Sequence, residues 1–265
     1  MRCTTSPSAA TGRVNRLISS PIILRAEGNG SNENERKPWD VLRFVRQSSR
    51  FVSLPFPGSG APKSSLAEDR RGRIAPGTLL WKAGDRDRND FEFAPLDDVV
   101  MGGASSSTFD EATGKWTGSV TDANSGGFIG IRSTPLVSYD LSACTGIEWT
   151  LSAADKQRLK VVLRDSADFN GIGWTTSRDV AAAGTMGSRK SLVTLRIPFG
   201  GNGTGNNQPL LPSRFAKILT DFPPFASSSV KAFQLTYSKF EYDGGLNPRF
   251  NVGDFGIQLL EIRSY

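Results

Sequence analysis

The sequence predicts an all-β domain, a sandwich or barrel, over residues 78–265. Three observations carry this. Short strand-like runs recur at roughly ten-residue spacing. Glycine is abundant, 28 in all, and several sit inside those runs, where they mark bulges or close backbone approach. Helical periodicity is almost absent from this part of the chain. In order, "TLLWKAG" is a short apolar run, "NDFEFAPL" alternates, and "GKWTGSVT" and "GGFIGIRS" carry interior glycines. "GIEWTLSAA" and "RLKVVLRDS" are alternating or β-branched, and "GIGWTTSRDV", "SLVTLRIPF", "KAFQLTYSKF" and "DFGIQLLEIRSY" complete the set. The one helix expected here is "PSRFAKILTDF", which opens on Pro-Ser, carries Phe215, Ile218, Leu219 and Phe222, and stops at Pro223-Pro224.

Charge divides the chain. Through Ala75 there are 13 Lys+Arg and 6 Asp+Glu, a net of +7; the remaining 19 and 20 give −1. The basic balance therefore belongs to the N-terminal part, and nucleic acid is not an expected partner of the domain. The first 26 residues hold Arg, Ser and Thr and no acid, as an organelle transit peptide does, and lack the apolar core of a secretory signal. Residues 1–36 are thus expected to be a largely disordered leader and linker, targeting a mitochondrion or a plastid. Residues 37–57 are expected to hold a basic amphipathic helix, with Trp39, Leu42, Val45 and Val52 on one face and Arg43, Arg46 and Arg50 on another. Such a helix suits a membrane surface or a partner, or packing on its own domain. Residues 58–77 read as a flexible linker. No apolar run approaches the roughly 18 residues of a membrane span, so attachment to a membrane would be peripheral.

The chain has no histidine. The commonest general base, the commonest metal ligand and every Ser-His or Cys-His nucleophile are thereby missing. Cys3 and Cys144 lie too far apart in character to suggest a disulfide framework. "DDVVMGGASSSTFD" concentrates two acids, a glycine pair and serines, but it has neither a phosphate-loop lysine nor dinucleotide-binding spacing. No ordered set of oxygen ligands for calcium surrounds Asp97 and Asp98. "FGGNGTGNNQP" follows a strand but lacks the helix that would hold a phosphate. No catalytic residue, cofactor or metal site is expected. The stretch reads as turn chemistry, with Asp98 and Ser105 bonding nearby backbone and Gly102 and Gly103 allowing the turn. Arg132 and Arg164, each near the end of a strand-like run, are candidate partner-facing charges.

These segments, in this order, resemble the complex I intermediate-associated protein 30 family. The resemblance rests on a Trp-led first strand and an Asp-x-Val-x-Gly-Gly-x-Ser signature, here Asp98-Val99-Val100-Met101-Gly102-Gly103-Ala104-Ser105. It continues through "WTGSV", the Gly126–Arg132 stretch, "YDLSACTGIEWTL", "LKVVLRDS", Ile197-Pro198-Phe199, a short helix and the closing "FGIQLLEI". A tryptophan expected shortly before Ile197 is absent. The resemblance implies a jelly-roll, galactose-binding-like sandwich and a non-catalytic, chaperone-like assembly factor. Its partners would be subunits or intermediates of an organellar membrane complex, respiratory complex I or a photosynthetic one. The signature (Asp98, Met101, Gly102, Gly103, Ser105), Arg132 and Arg164 are the candidate partner contacts, and residues 39–52 the candidate membrane contact. The alternatives are a carbohydrate-binding module stacking sugars on Trp149, Trp174, Tyr237 and Phe240, and an enzyme using Asp98, Asp165 and Glu148.

Overall fold

The computed structural model describes residues 40–51, 72–134, 138–180, 192–201 and 208–265. All of these belong to one unit, Arg36–Tyr265. The expected leader, Trp39, Val52 and residues 58–71 of the expected linker lie outside the described residues, as does the Asn202–Asn207 part of the glycine-rich stretch.

After one helix, α1 (Val41–Ser48), the strands run β1 Leu79–Lys82, β2 Phe93–Pro95, β3 Ser106–Asp110, β4 Lys115–Val120, β5 Phe128–Ser133 and β6 Gly146–Ala153. They continue as β7 Gln157–Arg164, β8 Gly173–Val180, β9 Leu192–Pro198, β10 Leu211–Arg214, β11 Lys217–Ile218, β12 Ala232–Ser238 and β13 Gly253–Ser264. One sheet has the order β3-β4-β13-β6-β9, with β1 also on β13; the other has the order β11-β10-β8-β7-β12-β5-β2. Every strand pair is antiparallel. This is the expected jelly-roll β-sandwich. The final strand, twelve residues long, sits between β4 and β6 at the centre of its sheet.

Alternation places the core. Along β7, Leu159, Val161 and Leu163 are fully buried between the sheets, so Lys160, Val162 and Arg164 project from the outer face. Trp81, Trp116 and Trp149 are likewise fully buried. Edge-on contacts lock this layer, Trp81 on Phe93 at 5.5 Å and Trp149 on Phe233 at 6.4 Å between ring centroids. Packing reaches back to Ile74, which is buried and donates its N–H to Asp140 O. Cys144 is buried and free.

Two expectations are corrected. "PSRFAKILTDF" is a β-hairpin. Leu211, Pro212 and Ser213 extend the sheet beyond β8, and Phe215 and Ala216, at φ 50° and 60°, make a two-residue turn into β11. Paired positive φ values match the twist of a tight hairpin. The apolar spacing that suggested a helix marks no buried face, because Phe215 and Phe222 are exposed. The second correction concerns α1. Asp40 caps it by accepting from Arg43 N–H, and it ends at Ser48, well inside the expected 37–57 span.

Candidate functional site

The two adjacent aspartates of "DDVVMGGAS" face different tasks. Asp98 is fully buried at the start of a 3-10 turn, Asp98–Met101. Its Oδ1 accepts from Ser105 N–H at 2.8 Å. Its Oδ2 accepts from Ser105 Oγ at 2.6 Å and from the N–H groups of Gly127 at 2.8 Å and Phe128 at 3.3 Å. Ser105 Oγ accepts in turn from Thr121 N–H. One carboxylate therefore ties the signature turn to the entry of β5, and the two glycine-containing motifs of the sequence meet at it. Gly102 closes the turn at φ 86°, a conformation that strongly favours glycine. At Gly103 a Cβ would lie 2.3 Å from Asp98 Cγ, and at Gly126 2.4 Å from Asp98 Oδ2. The glycines make room for the carboxylate. Of the signature, Met101 alone among the long side chains is turned outward, at 68% exposure.

Asp97, also fully buried, clasps α1. It accepts from Ser107 N–H and Oγ, from Arg43 Nη2 at 2.7 Å and from Gln47 Nε2 at 2.9 Å, while Gln47 Oε1 takes the Asp97 N–H. Arg43 and Gln47 are one helical turn apart, so the helix docks through polar side chains. This corrects the reading of Arg43 as an outward contact. Arg46 and Arg50 are exposed, and so are Val41, Leu42 and Val45, with Leu42 at 85%. The helix thus keeps an apolar strip facing away from the protein.

Arg132 and Arg164 lie on the outer face of the β2-containing sheet. Arg132 pairs across to Gln234, Gln234 to Val162, and Val162 to Thr175, one row over four strands. Arg132 is 6% exposed. Its Nε donates to Gln234 Oε1 at 2.9 Å, and its Nη1 reaches Phe169 O at 3.5 Å. The rings of Phe51 and Phe169 lie 5.5 and 5.2 Å from its guanidinium carbon, cation–π contacts on a planar group. Arg164 Nη1 donates to Asp168 O at 3.3 Å and Gly171 O at 3.0 Å, and its Nε is buried without a partner. Burial pulls Arg132 down to about 9, with the charge of Arg164 adding to it. Burial likewise lowers Arg164 to about 10. On the same face Lys160, brought down to about 8 by burial, donates to Phe240 O and Glu241 O beside the Tyr242 ring.

Other candidates are dispersed. Trp149, Trp174 and Tyr237 are buried and only Phe240 is exposed, so these four form no sugar-stacking platform. Asp165 accepts from Trp174 Nε1 and Glu148 pairs with Arg196, while Asp98 bonds to Ser105, Gly127 and Phe128. Among the described residues, no cluster of three or more His, Cys, Asp or Glu side chains is arranged to hold a metal. No described helix is long and apolar enough to cross a membrane. Sequence reasoning passed over Gln47, Phe51, Glu111, Lys160, Phe169 and Gln234. Only Lys160 had a signal, since Lys160 and Arg164 share the outward phase of "RLKVVLR".

The described residues define a jelly-roll β-sandwich with one short α-helix clasped to its flank. The chain belongs to the complex I intermediate-associated protein 30 family, whose model matches residues 85–259. No curated protein sequence is similar enough to count as a match. Among solved structures, the chain is similar to a family 11 carbohydrate-binding module from Clostridium thermocellum in complex with a mixed-linked tetrasaccharide. Identity there is 12%, the TM-score 0.40, and 71% of this chain and 96% of that one are covered. It is also similar to an agarase at 8% identity and TM-score 0.43, over 72% of this chain and 25% of that one.

Proposed function

We propose that this protein is a non-catalytic assembly factor that binds incomplete intermediates of an organellar membrane complex, respiratory complex I or a photosynthetic counterpart. The observation that carries this is the family match over residues 85–259. The chemistry is compatible with it: a binder needs neither the absent histidine nor a metal, and the buried carboxylates of Asp97 and Asp98 are occupied by structural hydrogen bonds. Attachment is peripheral, through α1. Its outward Val41, Leu42 and Val45, flanked by Arg46 and Arg50, supply the apolar strip and basic flank that an anionic membrane interface favours.

The test is to tag the C-terminus, fractionate organelles and follow the protein on native gels. Co-migration with a particle smaller than the finished complex, containing its subunits, is the expected result. A free species in the cytosol would overturn both the targeting and the client.

A further inference from the structure

The outer face of the second sheet holds two largely buried guanidiniums whose hydrogen bonds go to carbonyl and amide oxygens. Arg132 and Arg164 project from β5 and β7 and converge on one loop, Asp168–Gly171, through carbonyl contacts only. Neither has an ion pair among the described residues. The acids nearest in sequence bond elsewhere, Asp165 to Trp174 Nε1 and Asp168 Oδ1 to Asn170 N–H, and both act on Arg164 only from beyond ion-pair distance. Donors remain: Arg164 Nε is buried with no partner, and the bonds of Arg132 to described residues use Nε and Nη1 and not Nη2.

Holding two neighbouring guanidiniums in a low-dielectric site with no directly paired acid is costly. A fold with no use for them would be better served by apolar side chains there. Their geometry also limits what fits. Phe51 and Phe169, with ring centroids 6.4 Å apart, lie on one side of the Arg132 guanidinium. A planar carboxylate meets a guanidinium edge with two parallel hydrogen bonds. Gln234, held by Arg132 Nε and donating to Thr236 Oγ1, fixes the orientation of that edge.

We propose that Arg132 and Arg164, oriented by Gln234 and the Asp168–Gly171 loop, form a binding site for a carboxylate, the Asp or Glu side chain of an acidic partner segment. The site goes beyond the assembly reading and does not depend on it. Lys160 stands outside the site, because its ammonium is already bound by two carbonyls.

The test is a titration of the purified full chain, following the Arg Nε–H resonances by NMR, with glutarate, a short poly-glutamate peptide and inorganic phosphate as separate probes. Saturable shifts of Arg132 and Arg164 with glutarate, at a Kd of about millimolar order, and tighter with the peptide, are expected. Arg164→Gln and Arg132→Lys should each weaken binding about tenfold, which corresponds to loss of one charge-assisted pair. Arg88→Gln, at an exposed position elsewhere, should leave it unchanged. No saturable shift in the wild-type protein would overturn the site. Equal weakening by Arg88→Gln would reduce it to diffuse charge, and saturation by phosphate but not glutarate would overturn the carboxylate assignment. The wild-type titration keeps the test valid if Arg132→Lys misfolds. Because it uses isolated protein, its failure is distinguishable from a failure to co-migrate with an assembling complex.

Discussion

The carboxylate of Asp98 and the guanidiniums of Arg132 and Arg164 are charged groups held within this sandwich in opposite surroundings. Asp98 accepts four hydrogen bonds from Ser105, Gly127 and Phe128, all of them from its own domain. The arginines have carbonyl and amide partners, no ion pair among the described residues, and a buried donor left over at Arg164 Nε. A buried polar group that is fully satisfied locally specifies the fold; one that is not is available to something else. The eye-catching motif is architecture, and the plainer strand ends carry the candidate recognition.

The largest expected effect probes the first half of this contrast. Asp98→Ala leaves buried donors at Ser105, Gly127 and Phe128 without acceptors, and should cost about 4 kcal/mol or more in urea unfolding. A loss below about 1 kcal/mol would mean that the turn is held by something else. Glu111 lies between the two cases. This buried carboxyl accepts from Phe93 N–H, and burial raises it from 4.5 to about 7. The folded state holds the proton more tightly than the unfolded chain does. The associated stability is therefore complete below about pH 4.5 and is lost as pH rises through about 7. Relative to Glu111→Gln, the wild-type protein should lose about 3 kcal/mol between pH 4.5 and 8, measured by unfolding at each pH. A flat difference would contradict the burial.

Gly103→Ala sharpens the reading of the glycine pair. The added methyl would sit 2.3 Å from Asp98 Cγ, and a destabilisation of about 2 kcal/mol is expected in thermal or urea unfolding. The smallest effect belongs to the helix. Arg43→Ala with Gln47→Ala removes both side chains that hold α1 to Asp97. Amide exchange across Val41–Ser48 should approach that of an unprotected segment, while global stability changes by about 1 kcal/mol or less.

Much of the fold was legible in the sequence, because period-two alternation in runs such as "RLKVVLRDS" reports a half-buried strand directly. The hairpin at Phe215-Ala216 was not. Positive φ at two non-glycine residues leaves no compositional mark, and Phe215, Ile218, Leu219 and Phe222 imitate a helical stripe. At the site, the bonding of Asp98 and Ser105 could be anticipated from residue chemistry. The meeting of Asp98 with Gly127, 29 residues away, could not, since only tertiary structure brings them together. For the same reason Phe51 and Phe169, the rings against Arg132, gave no signal. The face with which α1 docks was not legible, because only tertiary structure brings the polar Arg43 and Gln47 onto the buried Asp97.

The contrast is tested most directly by asking whether recognition can be lost while the fold is kept. Tagged wild-type protein and Arg164→Gln would be compared for recovery of membrane-complex subunits from organelles, with unfolding stability measured in parallel. The prediction is a stability change of about 1 kcal/mol or less together with a roughly tenfold drop in recovered subunits. Undiminished recovery by a stably folded Arg164→Gln protein would contradict it, and would move the recognition surface away from this face of the sandwich.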